Sequence, residues 1–458
     1  MMHIADRVGA DEAPTLTIVS GATLLVLVVF TVPLTTLDAT ARALAAGPGA
    51  QAWILSGMPL GAATGLLGSG ALGDNHGRRR VFLWGLALLA AASALGALAR
   101  TDLFLILTRV AQGFGGAAIL ACGLGLIGQV FADDRARTRA TAVWAAALGA
   151  GVATGPIFAA LLAQIGGWRA AHVGTALLAA ALGLAGRAIL PETDTDRHDR
   201  MDWTGTILLA AGLAAVMSGL TEMRLGWARP SVLLLIGGGL VLLAAFGRNE
   251  ARHRNPILAL SLFRRSDFVG ATVAAFASGA GVLALMTLVP TLVTRAMHVD
   301  PLIAAIVLLA WSATSVVTAL AARWLPDGLS PRRLLIGGLI GCALAQLMLL
   351  DPAPNGALLR LLPGLFLAGA ANGILNAALG RQAVASVPAD RTAMGSGANN
   401  TARFLGSAIG ITVAAVLIAH GADVGGMPGL LRGWDQAVLV TTAFSILGAL
   451  VVAVARDS

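Results

Sequence analysis

The chain is built from apolar runs of about twenty residues separated by short arginine-bearing segments, and that alternation restricts it to a bundle of membrane-crossing helices. A hydrocarbon core about 30 Å thick needs roughly 20 apolar residues per helix. Runs that meet this rule begin near Leu16, Gln51, Val81, Leu103, Ala140, Ala170, Thr204, Ser231, Phe268, Pro301, Arg332, Ala357, Thr392 and Gln436. With 57% hydrophobic and 12% charged residues, the chain is too apolar for a soluble protein of 458 residues. The expectation is an all-α membrane protein with 14 spans.

Arginine decides the orientation. Every basic residue is arginine, and with the N-terminus placed inside, the inner segments carry 21 of them and the outer ones 8, leaving Arg109 and Arg403 within spans to complete the 31. The bias alternates correctly along the chain, so both termini are expected in the cytoplasm. The net charge of +8 follows from these scattered loops rather than from a basic face, which argues against a nucleic-acid partner. Cys122 and Cys342 lie far apart inside apolar runs and imply neither a disulfide nor a metal site. No cleavage signal follows the first apolar run, so that run reads as a retained span.

Two polar stretches divide the chain. Pro191 to Asp202 is the more polar, and Arg248 to Asp267 follows two runs later. The expected domains are therefore residues 1–190, with six helices; residues 191–265, a polar linker with two extra helices; and residues 266–458, with six more. The stretch from Arg323 to Arg333 looks like a degraded copy of Gly70 to Arg80, as a duplicated half would leave behind.

Several residues are costly to place in a membrane. Arg109 falls inside the fourth run, where a guanidinium costs on the order of 2.5–3.5 kcal/mol. It either faces a polar partner, with Gln112 one turn away, or snorkels to the nearby surface. Gly70, Asp74, Gly77, Arg78, Arg79 and Arg80 form a tight loop between the second and third runs, as a topological signal or as a latch between helix ends. Gly151 and Gly155 share one helix face beside Pro156, which bends the helix. Asp38 ends the first run, where Pro33 can turn it toward a cavity, or it is merely interfacial; Glu222 reads as interfacial. Asn372, Asn376, Asn400 and Arg403 can line a substrate path or serve as interhelical glue. The lone His172 and His420 are not expected to carry protons. No nucleotide-binding loop, metal-ligand cluster or nucleophile–base pair appears, so no cofactor, metal or enzymatic activity is expected.

In order along the chain, these segments resemble the major facilitator superfamily, specifically its fourteen-span drug:proton antiporters. Gly70 to Arg80 is similar to motif A of that family, with Asn75 in place of the usual arginine. Arg109 to Gly113 resembles motif B, and Gly151 to Pro156 resembles the antiporter motif C, with Ala159 and Ala160 where two glycines usually close it. Asp202-Trp203-Thr204-Gly205, Gly226-Trp227 and Pro256-Ile257-Leu258 resemble the series around the two extra helices. The early Asp-x-Thr of many relatives is not at the usual distance before Pro33; Asp38-Ala39-Thr40 follows that proline instead.

The resemblance implies a major facilitator fold, two six-helix bundles with a central cavity, working by alternating access. It implies proton-coupled export of hydrophobic or amphipathic drugs or antibiotics from the bacterial cytoplasmic membrane, driven by the proton gradient. Asp74 and the following arginines would latch the gating loop, Arg109, Gln112 and Asp38 would serve proton coupling, and Gly151, Gly155 and Pro156 would form the antiporter hinge. The cavity would be lined by Asn372, Asn376, Asn400 and Arg403. With two arginines in the membrane and few acids, neutral or weakly acidic substrates are favoured over dications. The expected partners are a small hydrophobic substrate, protons and the lipid bilayer, with the protein a monomer. A dedicated exporter of one endogenous metabolite, and a receptor or assembly protein on the same scaffold, remain the alternatives.

Overall fold

Glycine and proline set where the apolar runs break, and the computed structural model follows them closely. It describes residues 2–131, 133–191, 202–223, 228–253, 256, 260–322, 329–352, 358–387 and 392–454. Among these residues all regular structure is helical. The α-helices are α1 (Met2–Thr31), α2 (Pro33–Leu44), α3 (Pro48–His76), α4 (Arg78–Ala97), α5 (Asp102–Val130), α6 (Asp134–Ile189), α7 (Trp203–Glu222), α8 (Pro230–Glu250), α9 (Ser266–Ser278), α10 (Ala284–Ala296), α11 (Pro301–Ala321), α12 (Pro331–Leu347), α13 (Leu362–Ala385) and α14 (Thr392–Val454). A π-helical turn, Gly279–Leu283, joins α9 to α10 without interruption.

Ten stretches among the described residues are long and apolar enough to cross a membrane, and two of them, of 51 and 58 residues, lie in α6 and α14. Each folds back on itself at a glycine pair. Gly166 and Gly167 break α6, with φ −142° and +65°, and Gly425 and Gly426 break α14 in the same conformation, with φ −133° and +57°. The second glycine of each pair needs the left-handed region that a side chain disfavours. In α14 the returning arms touch closely: a Cβ on Gly421 would overlap the carbonyl of Gly429, and one on Gly433 the carbonyl of Leu417. The last run thus begins at the break, nine residues before the expected Gln436, because Arg432 reads as a loop charge although it lies within the helix.

The two ends of the chain carry matching devices. Arg79, second residue of α4, donates from Nη2 to the Arg187 carbonyl at the end of α6 at 2.7 Å. That oxygen has no N–H four residues on, because Pro191 lacks one. Arg332, second residue of α12, likewise donates from Nε to the Val452 carbonyl at 3.1 Å and from Nη2 to the Ala453 carbonyl, at the end of α14. Ser330 caps α12 by accepting from the Arg333 amide at 3.3 Å. The expected latch copy at Asp327 lies outside the described residues.

One apolar cluster, containing Val26, Met58, Phe82, Ile119 and Leu126, fills the group α1 to α6. A second fills α9 to α14 and continues across to Leu34, Leu37, Ile54, Leu55 and Trp168 of the first group. α7 and α8 pack on each other, with Leu209, Leu213, Met217 and Phe246 meeting Leu60 of α3 and Ala408 of α14.

Candidate functional site

Pro33 organises the first site. It has no N–H, so the carbonyl of Val29, four residues earlier, is left without its helical donor, and the chain breaks between α1 and α2. Arg109 fills that vacancy from α5. It is fully buried, about 10 Å along the helix from Asp102, so it does not snorkel. Its Nη1 donates to the Val29 carbonyl at 2.7 Å and to Gln112 Oε1 at 2.9 Å. Its Nη2 donates to the Phe30 carbonyl at 3.3 Å, and its Nε to the Ile54 carbonyl at 3.2 Å. Gln112 in turn donates to Ser93 Oγ at 2.9 Å. One guanidinium therefore ties α1, α3, α4 and α5 through neutral acceptors. Glycines make this approach possible: a Cβ on Gly61 would overlap the Val110 carbonyl, and one on Gly113 the Met58 carbonyl.

α6 lies against the same broken segment. Gly151 and Gly155 face α1, where a Cβ would overlap the Leu24 carbonyl and Thr31 Oγ1 respectively. Thr35 Oγ1 donates to the Pro156 carbonyl at 3.3 Å, linking the α2 start to the α6 bend. Gly149, one residue pair earlier, faces Val316 of α11 instead. The Gly151–Pro156 segment is thus a seam within the first group, and its neighbour touches the second.

Arg403 lies on α14, half-buried. Its Nη1 donates to Asn376 Oδ1 at 3.4 Å and its Nη2 to Asn400 Oδ1 at 3.2 Å. Its guanidinium carbon stands 5.6 Å from the centre of the Phe404 ring, which meets Phe30 of α1 edge-on at 6.2 Å. Asn376 and Asn400 therefore come together with Arg403, whereas Asn372 does not. It is buried and donates to Ser315 Oγ of α11 at 2.9 Å.

Asp38 is not with Arg109. It sits on α2 and joins Arg295 of α10, whose Nε and Nη2 donate to Asp38 Oδ1 at 2.7 and 2.5 Å. Gln51 Oε1 accepts from the same Nη2 at 2.8 Å. Farther along α3, Ser56 and Thr412 hydroxyls meet at 2.8 Å. Beside them lies a cavity of about 150 Å³ lined by Leu55, Leu288, Leu292, Ile418, Leu430 and Trp434. Sequence reasoning missed Arg295 and Gln51; the cue was an arginine in the last turn of a run, which was counted only as a topological charge.

At the opposite end of α3, about 40 Å away by its length, lies the Gly70 to Arg80 turn. Gly77 joins α3 to α4 with φ +92°. Gly73 packs against Cys122 and Arg78, and the Arg78 guanidinium fills the space beside Gly125 of α5. Gly70 has open space around it, and Arg80 is exposed. The side chain of Asp74 lies outside the described residues.

Comparison with known proteins finds similarity over residues 19–457. The sequence profile described as Major Facilitator Superfamily matches residues 19–411 and, in a second alignment, 275–457. The multidrug resistance protein Stp of Mycobacterium tuberculosis is 27% identical over 379 residues, covering 82% of this chain and 70% of its own. The puromycin resistance protein pur8 of Streptomyces alboniger is 28% identical over 459 residues, covering 97% and 91%. The probable actinorhodin transporter of Streptomyces coelicolor is 30% identical over 377 residues, covering 80% and 65%.

Proposed function

The chain belongs to the Major Facilitator Superfamily, and from that premise we propose that it is a proton-coupled exporter of hydrophobic or amphipathic drugs or antibiotics, of the fourteen-span branch. The observation that carries the reading is the buried Arg109, held by the carbonyls of Val29, Phe30 and Ile54 and by Gln112. A static bundle has no use for a desolvated cation at that depth. The relatives described as multidrug and puromycin resistance proteins support the cargo class.

Fourteen crossings follow if α1 with α2 makes one, α9 with α10 makes one, and α6 and α14 make two each. The arginine bias then supports cytoplasmic termini in a bacterial cytoplasmic membrane. The domains are residues 1–190, 191–265 and 266–458, working as a monomer by rocking of the outer two around a midplane cavity. In this reading the Asp38–Arg295 pair closes the outer end, and Asp74 with Arg78 latches the inner end when the outer one opens. The seam of Gly151, Gly155 and Pro156 lets α6 slide on α1. The drive is the proton gradient, worth about 2.3 kcal/mol per charge and 100 mV. No nucleotide or metal takes part.

The test is flux from purified protein in liposomes under an imposed pH gradient. Drug accumulation that collapses with the gradient is expected, as is its loss in Asp74→Asn and Arg109→Ala; flux indifferent to the gradient sinks the coupling. The relative described as a probable actinorhodin transporter favours, as a second reading, export of one endogenous metabolite. A screen in which a single biosynthetic product moves and no drug does would select it.

A further inference from the structure

The two intramembrane arginines differ in one respect that bears on the cargo. A guanidinium has five N–H donors. Arg109 spends four bonds on four acceptors and is shut from solvent. Arg403 makes two, both long and both to neutral amides, and its Nε is buried with no hydrogen-bond partner. No described carboxylate pairs with it. Arg403 lies about 9 Å along α14 from Gly397, where the apolar crossing stretch begins, and so inside a hydrocarbon core about 30 Å thick. A cation at that depth with unmet donors lacks its counter-ion.

The surroundings define what is missing. The Arg403 backbone is clamped, since a Cβ on Gly279 of the π-helical turn would overlap the Arg403 carbonyl and one on Gly406 would overlap the Phe276 carbonyl. The two amides fix the guanidinium plane from α13 and from its own helix. The Phe404 ring centre stands 5.6 Å from its guanidinium carbon and meets Phe30 edge-on, both rings being buried in the core of the first group. This is a held positive charge between the first group of helices and the second.

We infer that Arg403, with Asn376 and Asn400, is the receptor for an anionic group on the cargo, and that the cargo is an amphipath bearing a carboxylate or phenolate. The inference rests on the export reading and specifies its substrate class. The anion supplies the acceptor that Nε lacks and replaces long amide contacts with charge-assisted ones. Arg109 cannot take this role, because four of its five donors are engaged and it is shut from solvent.

The test is binding of a shape-matched set to the full chain in nanodiscs of uncharged lipid: tritiated 1-naphthoate, with 1-naphthamide and 1-naphthylmethylammonium as competitors. A hydrogen bond to a charged group is worth enough to give naphthoate at least about a tenfold preference over the amide. Arg403→Gln is expected to bring naphthoate down to the level of the amide while leaving the amide unchanged, and Arg403→Lys to keep part of the preference. The wild-type ranking decides the matter even if a variant does not fold. Equal affinity for acid and amide, tighter binding of the cation, or no naphthoate binding overturns the proposal. So does displacement of naphthoate in proportion as gluconate is replaced by chloride, which would make chloride the occupant. Anion preference without gradient-driven flux keeps this inference and sinks the exporter reading; flux of the cation or the amide with no anion preference does the reverse.

Discussion

Arg295 of α10 holds Asp38 of α2 through two guanidinium nitrogens, at 2.7 and 2.5 Å, and so ties the last group of helices to the first at one end of the bundle. The two side chains are 33% and 27% exposed, so solvent screens the pair and its contribution is about 1 kcal/mol, roughly a fivefold population ratio. Asp38→Asn is therefore expected to shift the balance toward opening at that end without unfolding the protein. Spin labels at the exposed positions Ala43 and His298 read this directly. A longer-distance population should grow several-fold, and a charge exchange, Asp38→Arg with Arg295→Asp, should reverse it. Unchanged distances would reduce the pair to decoration.

Pro33 bears on Arg109 through the Val29 carbonyl. Pro33→Ala restores an N–H four residues after Val29, and that amide competes with Arg109 Nη1 for the oxygen now held at 2.7 Å. The helix is expected to run straight through residue 33, with the new amide protected in hydrogen exchange, and transport to fall at least severalfold while the fold survives. Full activity with a protected amide would show that Arg109 does not need this acceptor.

The crossing runs were legible because burial in lipid requires length and apolarity, and Arg109 was legible as a residue needing partners because an intramembrane charge is expensive. Gln112, one turn away, was legible as a partner, but the other three were not. Those three are backbone carbonyls of two other runs, and only that of Val29 is marked in the sequence, by the proline four residues after it. The Asp38–Arg295 pair needed the register between residues far apart in sequence, which no local pattern carries. Arg432 misled for the opposite reason: it lies inside a helix that the Gly425–Gly426 break had already begun. Gly77 and Gly151 have different uses, the first supplying a positive φ in a turn and the second a flat contact surface on a helix.

That difference makes the glycines a graded test. A Cβ at Gly155 would overlap Thr31 Oγ1 and press on the Val28 backbone, 2.9 Å from its Cα, whereas one at Gly70 would meet nothing within 4 Å. Gly155→Ala is expected to cost about 1–3 kcal/mol in packing and to lower transport strongly. Gly70→Ala should leave packing, and the melting temperature, unaffected. Adding Thr31→Ala to Gly155→Ala should recover only part of the loss, because the backbone contact remains. Equal tolerance at both positions would remove the α1–α6 seam from the mechanism.

Arg79 and Arg332 hold carbonyls near the ends of α6 and α14 from the second position of α4 and α12. Each is a cation near the end of a helix, where it meets the negative end of the dipole, and Arg79 also satisfies the Arg187 carbonyl that Pro191 leaves without a donor. Arg79→Gln and Arg332→Gln are accordingly expected to weaken the ends of α6 and α14 by about 0.5–2 kcal/mol each. Amide exchange should rise in the last turn of the partner helix and nowhere else. The two sites lie in different groups of helices, so their effects should add in the double variant. If Arg79 also belonged to the gating latch, its substitution would alter transport out of proportion to that local fraying, while Arg332→Gln would not. Equal effects of the two on flux would assign both arginines to capping alone and leave the latch to Asp74 and Arg78.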